Sequence, residues 1–75
     1  MSNYTLDARN MLCPLPVIKT QDKVTGLHTG DILEITATDP GALIDIPAWC
    51  RINGHTVLHA EERTEDIFVC IKVGR

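Results

Sequence analysis

The sequence predicts a two-layer α/β (α+β) sandwich of βαβαββ order, with a mixed four-stranded sheet and two helices on one face. Three observations carry that prediction. Tyr4, Leu6 and Ala8 alternate with Thr5 and Asp7, the period of a strand with one buried face. Apolar residues then recur twice at helical spacing, once after Pro14 and once after Asp39-Pro40. Last, His55 to Ala60 and Ile67 to Val73 read as strands joined by the short charged run Glu61 to Asp66. Strand–helix–strand crossovers make parallel neighbours and a short turn makes an antiparallel hairpin, so the sheet is mixed.

The elements follow in order. From residue 14 to about 27, Val17, Ile18, Val24 and Leu27 share one helical face, with Lys19, Asp22 and Lys23 outward. Gly26 weakens the last turn and Gly30-Asp31 marks a turn. Ile32, Leu33 and Ile35 with the β-branched Thr36 and Thr38 make the second strand. Asp39-Pro40 is a helix start signal, Asp at the N-cap and Pro at the first helical position. Leu43, Ile46 and Cys50, with Trp49 beside them, form the second amphipathic stripe. Pro47 lies inside it, so a loose turn is expected first, with regular helix starting nearer Asp45. Asn53-Gly54 is the expected stop.

All 75 residues belong to a single domain, 1–75. A chain this short buries only about 60% of its unfolded surface, so the core is modest. Hydrophobic residues make up 44% and charged residues 23%, the balance of a soluble globular protein. No apolar run approaches a membrane span, and MSNYTLDARN has no apolar signal region, so a cytoplasmic location is expected. A net charge of −3 argues against direct nucleic-acid binding and favours a protein partner. Cys13, Cys50 and Cys70 are an odd number without CxxC spacing. Neither a disulfide framework nor a metal site is expected, although a composite site using His28, His55 or His59 stays open.

In a sheet of this kind, chemistry gathers at the carboxyl ends of the parallel strands. The loop carrying Cys13 follows the first strand, and the Asp39-Pro40 loop after the second belongs at the same end. Cys13-Pro14-Leu15-Pro16 is therefore the candidate site. A residue before proline is pushed toward extended dihedrals, as an N-cap residue requires. Pro14 would fill the first helical position and Pro16 the third, both places where a backbone N–H has no helical partner. Leu12 and Val17 are then spaced for a hydrophobic staple. Cys13 becomes the N-cap, its sulfur facing the helix dipole with the Leu15 amide as the best-placed donor. Cysteines at helix N-termini titrate below the free value of about 8.5, so a reactive thiolate is expected. Arg9, four residues upstream, is a candidate electrostatic support.

Each of these residues also has a plainer reading. Cys13 could be a small hydrophobe beside Leu12, but a buried cysteine needs no double-proline setting. Cys50 on the apolar helical stripe and Cys70 within Phe68-Val69-Cys70-Ile71 keep the reading of core residues, and Trp49 that of packing. The histidines have no Asp arranged to orient them, so a Cys-His hydrolase is unsupported. The acidic run 61–66 reads as a solvated hairpin turn.

Leu6-Asp7-Ala8-Arg9 before Cys13-Pro14-Leu15-Pro16, then Asp39-Pro40, Asp45-Ile46-Pro47 and Trp49-Cys50 leading to Gly54-His55, together resemble the TusA/SirA-like family of sulfur carriers across nearly the whole chain. The resemblance implies the βαβαββ sandwich also seen in the C-terminal domain of translation initiation factor three. It implies that Cys13 accepts sulfane sulfur as a persulfide, with Pro14, Leu15 and Pro16 as scaffold. It also implies a donor protein, a cysteine desulfurase or rhodanese, and an acceptor protein of the DsrE type or similar. No cofactor is implied beyond the transient cysteine persulfide. Asn10 stands where the family commonly has Gly, and Asn is the residue that next best tolerates positive φ. Lys23 stands where a small apolar residue is usual.

The expected function is a persulfide relay serving tRNA thiolation, cofactor biosynthesis or sulfur oxidation, a sulfurtransferase-like carrier rather than a self-sufficient enzyme. Two other classes compete with it. A thiol redox enzyme would need Cys50 as a resolving cysteine near Cys13. A regulatory or interaction module without sulfur transfer would leave Cys13 dispensable.

Overall fold

The computed structural model describes residues 2–74. Its elements are β1 (Asn3–Ala8), α1 (Leu15–Val24), β2 (Ile32–Ala37), α2 (Ala42–Asn53), β3 (Thr56–Arg63) and β4 (Asp66–Lys72). The sheet order is β1-β2-β4-β3. β1 and β2 pair in parallel, Leu6 opposite Ile35, while β4 runs antiparallel to both β2 and β3. This is the βαβαββ mixed sheet that the patterning predicts.

Strand alternation decides which face is covered. Leu33, Ile35 and Ala37 of β2 and Ile67, Val69 and Ile71 of β4 are buried against the helices. Ala42, Ile46 and Cys50 of α2 complete that cluster, and Val17 and Val24 of α1 pack against it. Residues between them in sequence, Glu34, Thr36, Phe68 and Cys70, lie on the opposite, uncovered face and stay exposed or half-buried.

Several local expectations change. In α1, Ile18 is 45% exposed, and the buried positions are Pro16 and Thr20. Thr20 is tolerated there because its hydroxyl donates to the Pro16 carbonyl at 2.8 Å. Lys23 is half-buried rather than outward, its ammonium 5.6 Å from the centre of the Tyr4 ring. α2 does not wait for Asp45 but runs unbroken from Ala42 through Pro47. Pro47 removes only the hydrogen bond to the carbonyl four residues back, and buried Ile46 and Cys50 anchor the helix on either side of it. The acidic run is mostly strand: Arg63 pairs with Asp66, leaving Thr64-Glu65 as a two-residue turn with Thr64 at φ 59. Gly54 ends α2 at φ 83, and the His55 amide donates to the Cys50 carbonyl at 2.9 Å. Asn10 adopts φ 65, the left-handed region that asparagine tolerates better than most residues.

Candidate functional site

Cys13 and Asp39 come together where the parallel strands end, as strand order dictates. Cys13 leads from β1 into α1, and Asp39 leads from β2 into α2. The two loops are joined by the Cys13 backbone N–H, which donates to Asp39 Oδ2 at 2.7 Å. Asp39 Oδ1 accepts the Gly41 N–H at 3.0 Å, so one carboxylate ties both loops. A second link is Asn10 N–H to Thr38 Oγ1 at 2.9 Å.

The expected capping by Cys13 is not what forms. α1 begins at Leu15 with Pro14 as its N-cap, so Cys13 stands one residue outside the helix. The Leu15 amide, expected to face the sulfur, donates instead to the Leu12 carbonyl at 2.9 Å. The Ile18 amide makes the first helical bond, to the Pro14 carbonyl at 3.1 Å. Pro16 falls at the second helical position, not the third, and is still where a missing N–H is harmless. The Cys13–Pro14 peptide bond is cis. The staple is also absent: Leu12 is 76% exposed, while Val17 packs on the core.

The sulfur points at the neighbouring loop. A methyl group placed on Gly41 would lie 3.0 Å from Cys13 Sγ, 3.5 Å from Asp39 Oδ1 and 3.8 Å from Asp45 Oδ2. The sulfur and the Asp39 and Asp45 carboxylates thus border the same small space over Gly41. Burial first, then these carboxylates, pushes the Cys13 thiol up to about 12. The expected lowering is therefore reversed, first because burial disfavours the thiolate and then because carboxylates, not helix amides, are the sulfur's charged neighbours. Asp39 is held below the ordinary carboxylate range, chiefly by the Cys13 and Gly41 amides.

Arg9 does not supply the expected support. Its guanidinium forms a two-point pair with Asp7, Nε to Oδ1 at 3.0 Å and Nη2 to Oδ2 at 3.1 Å. Cys50 is fully buried, nine residues along α2 from Gly41, roughly 13 Å at helical rise. It is remote as a resolving thiol for Cys13, and all three cysteines are free. Two histidines do have carboxylate neighbours: His28 lies 3.9 Å from Asp31, and His59 contacts Glu61. His55 stacks on Trp49 with ring centres 5.0 Å apart. None of the three acts on Cys13. Among the described residues, no three His, Cys, Asp or Glu side chains converge as a metal site. No described helix is long and apolar enough to cross a membrane.

From the sequence the Asp39 loop belongs beside Cys13, but there Asp39 reads as a helix cap and, like Asp45, as part of the family resemblance, and neither these two nor Gly41 stands out as a neighbour of the sulfur. Their trace in the sequence is the pair Asp39-Pro40-Gly41 and Asp45-Ile46-Pro47, whose acidic residues stand at the entry and in the first turn of α2. Leu12 and Leu15 (47% exposed), on either side of the cysteine in the chain, and Ile44 of α2 (71% exposed) are left in water.

Fold and site thus define a small α/β sandwich with one half-exposed cysteine set between two loops at the open end of its parallel strands. Residues 4–73 match the family described as sulfurtransferase TusA, and the chain belongs to that family. YrkI of Bacillus subtilis, described as a candidate sulfur carrier protein, is 36% identical over 73 residues, covering 97% of each chain. YrkF of the same organism, described likewise, is 42% identical over 64 residues; these cover 85% of this chain but only 35% of YrkF. The chain thus spans about a third of YrkF and nearly all of YrkI. The crystal structure of a SirA-like protein from Desulfitobacterium hafniense has the same fold, with a TM-score of 0.82 at 22% identity. The match covers 96% of this chain and 99% of that one.

Proposed function

We propose that the protein is a sulfur carrier in which Cys13 takes up sulfane sulfur as a persulfide and passes it to a partner protein. The observation that carries this reading is Cys13 itself, half-buried on the loop into α1 with its sulfur against Gly41, and with the exposed Leu12 and Leu15 on either side of it in the chain. A sulfur so presented can be reached by another protein's cysteine, and aliphatic side chains left in water favour protein contact. Relatives described as candidate sulfur carriers, aligned over most of the chain, support the same role.

Loading is a thiol–persulfide exchange. The Cys13 sulfur attacks the outer sulfur of a donor persulfide, a new S–S bond forms, and the donor's S–S bond breaks. The electron pair stays on the donor thiolate, which takes up the proton that Cys13 gives up. No oxidant or reductant is consumed. Unloading is the same exchange, with the acceptor's thiolate attacking the outer sulfur of Cys13–S–SH. A cysteine desulfurase or rhodanese is the proposed donor, and a DsrE-type protein the proposed acceptor.

The test is intact-mass analysis after incubation with a cysteine desulfurase and cysteine, or with a rhodanese and thiosulfate. A gain of one sulfur that dithiothreitol removes and Cys13→Ser abolishes is expected. Loading that persists in Cys13→Ser sinks the proposal.

A further inference from the structure

Resting on the carrier reading, we infer that Asp39 and Asp45, set beside the sulfur over Gly41, are positioning residues that keep Cys13 a protonated thiol in the free protein, and that a donor bearing positive charge beside its persulfide releases it. The geometry is specific. Asp39 is fixed by two backbone amides, Cys13 at 2.7 Å and Gly41 at 3.0 Å, so its carboxylate cannot swing away from the cysteine. Asp45 reaches the same point from the first turn of α2, and its Oδ2 and the Cys13 sulfur both border the space over Gly41.

Among the described residues, no positive charge stands among the groups that act on the Cys13 sulfur. From the cysteine's own loop, Arg9 is occupied by Asp7. The first turn of α1 offers Leu15, Pro16 and Val17, all uncharged. From the α2 side come only the two carboxylates. The thiol titrates at about 12, with burial the first cause and Asp39 and Asp45 the rest.

The chemical consequence follows from the exchange itself. The sulfur must surrender its proton as the new S–S bond forms, and the negative charges of the Asp39 and Asp45 carboxylates oppose that loss. A lysine, arginine or ammonium group on the donor offsets them at encounter. A donor bearing a carboxylate adds a third negative charge. The carboxylates thereby keep the free carrier slow toward stray electrophiles and direct loading to cationic donors.

Two measurements on the full chain test this. The first is the rate of Cys13 alkylation by iodoacetamide, read by peptide mass mapping from about pH 6 to about pH 11. Near pH 7.5 the folded protein should react about a hundredfold more slowly than the urea-unfolded chain, the lower thiolate fraction being partly offset by higher intrinsic nucleophilicity. Asp45→Asn should raise the rate about tenfold and lower the midpoint of the pH profile, and Asp39→Asn should act in the same direction. Asp39 also ties the loops, so Asp45→Asn, an exposed site of unchanged volume, carries the test if Asp39→Asn unfolds. The second measurement compares loading by cysteamine persulfide, which is cationic, with loading by 3-mercaptopropionate persulfide, which is anionic. A preference of about fivefold for the cationic donor is expected, falling toward equality in Asp45→Asn.

Fast alkylation of the wild type, or a profile that neither variant moves, overturns the inference. So does equal loading by the two donors. If alkylation behaves as described but neither donor leaves a persulfide on Cys13, the carrier reading fails and the positioning of the thiol stands.

Discussion

Gly41→Ala isolates the closest approach in the site. Gly41 sits at φ −59 and ψ −26, an ordinary right-handed conformation that alanine adopts without strain. A substitution there should gain about 0.4–1 kcal/mol by restricting the unfolded chain. The new methyl, however, would lie 3.0 Å from Cys13 Sγ, whereas non-bonded heavy atoms prefer about 3.5–4.0 Å. The Asp39 and Asp45 oxygens, at 3.5 and 3.8 Å, are already at tolerable distance, so the sulfur alone has to give way. It can do so by a χ1 adjustment toward solvent, at an off-rotamer cost of about 0.5–1.5 kcal/mol. The two effects nearly cancel. Stability in urea should therefore stay within about 1 kcal/mol of wild type. The displaced sulfur leaves its place between the carboxylates, so alkylation of Cys13 near neutral pH should quicken about tenfold, equivalent to about 1.4 kcal/mol. Urea titration and timed iodoacetamide labelling, read by mass, check both halves. An unchanged labelling rate would refute the placement of the sulfur against Gly41. A loss of several kcal/mol would refute the claim that only the sulfur must move.

Ile46→Ala, which empties a fully buried position under the sheet, should cost about 2–5 kcal/mol by urea denaturation. Thr20→Val keeps the shape of a buried side chain but loses the 2.8 Å hydrogen bond to the Pro16 carbonyl, and should cost about 1 kcal/mol in the same assay. At acid pH, Asp39 and Asp31 are held low, chiefly by the Cys13 amide and the His28 amide respectively. Their stabilisation is complete above the unfolded carboxylate range near 4 and is lost as pH falls through their lower folded values, so the urea midpoint should drop below about pH 4. At alkaline pH the sign reverses. The Cys13 thiol, raised from 9.0 to about 12, contributes stability that is complete below about pH 9 and lost as pH rises toward 12. Cys50, raised to about 11 mainly by burial, adds to this. The midpoint should fall between about pH 8 and about pH 10.5, and Cys13→Ser should remove part of that fall.

Much of the fold is legible in the chain because it rests on local patterns. Alternation along Tyr4 to Ala8, the two proline-led helical stripes and the closing hairpin each follow from periods of two or 3.6 residues, and together they determine element order. Crossover rules then place the Cys13 and Asp39 loops at one end of the sheet. The Cys-Pro-Leu-Pro setting, with Asp39-Pro40 and Asp45-Ile46-Pro47, is enough to indicate the family and to single out Cys13 as the candidate cysteine. What the chain alone does not determine is the electrostatic character of that cysteine. Helix-capping rules, applied to Cys13 and its own neighbours, point to amide donors and a lowered titration. The Leu12 carbonyl takes the Leu15 amide, and the sulfur meets carboxylates 26 and 32 residues away in sequence. A pKa is set by whichever charges lie within a few ångströms. At Cys13 burial and the carboxylates brought by the second loop and the start of α2 act together, so only the tertiary structure could decide the sign.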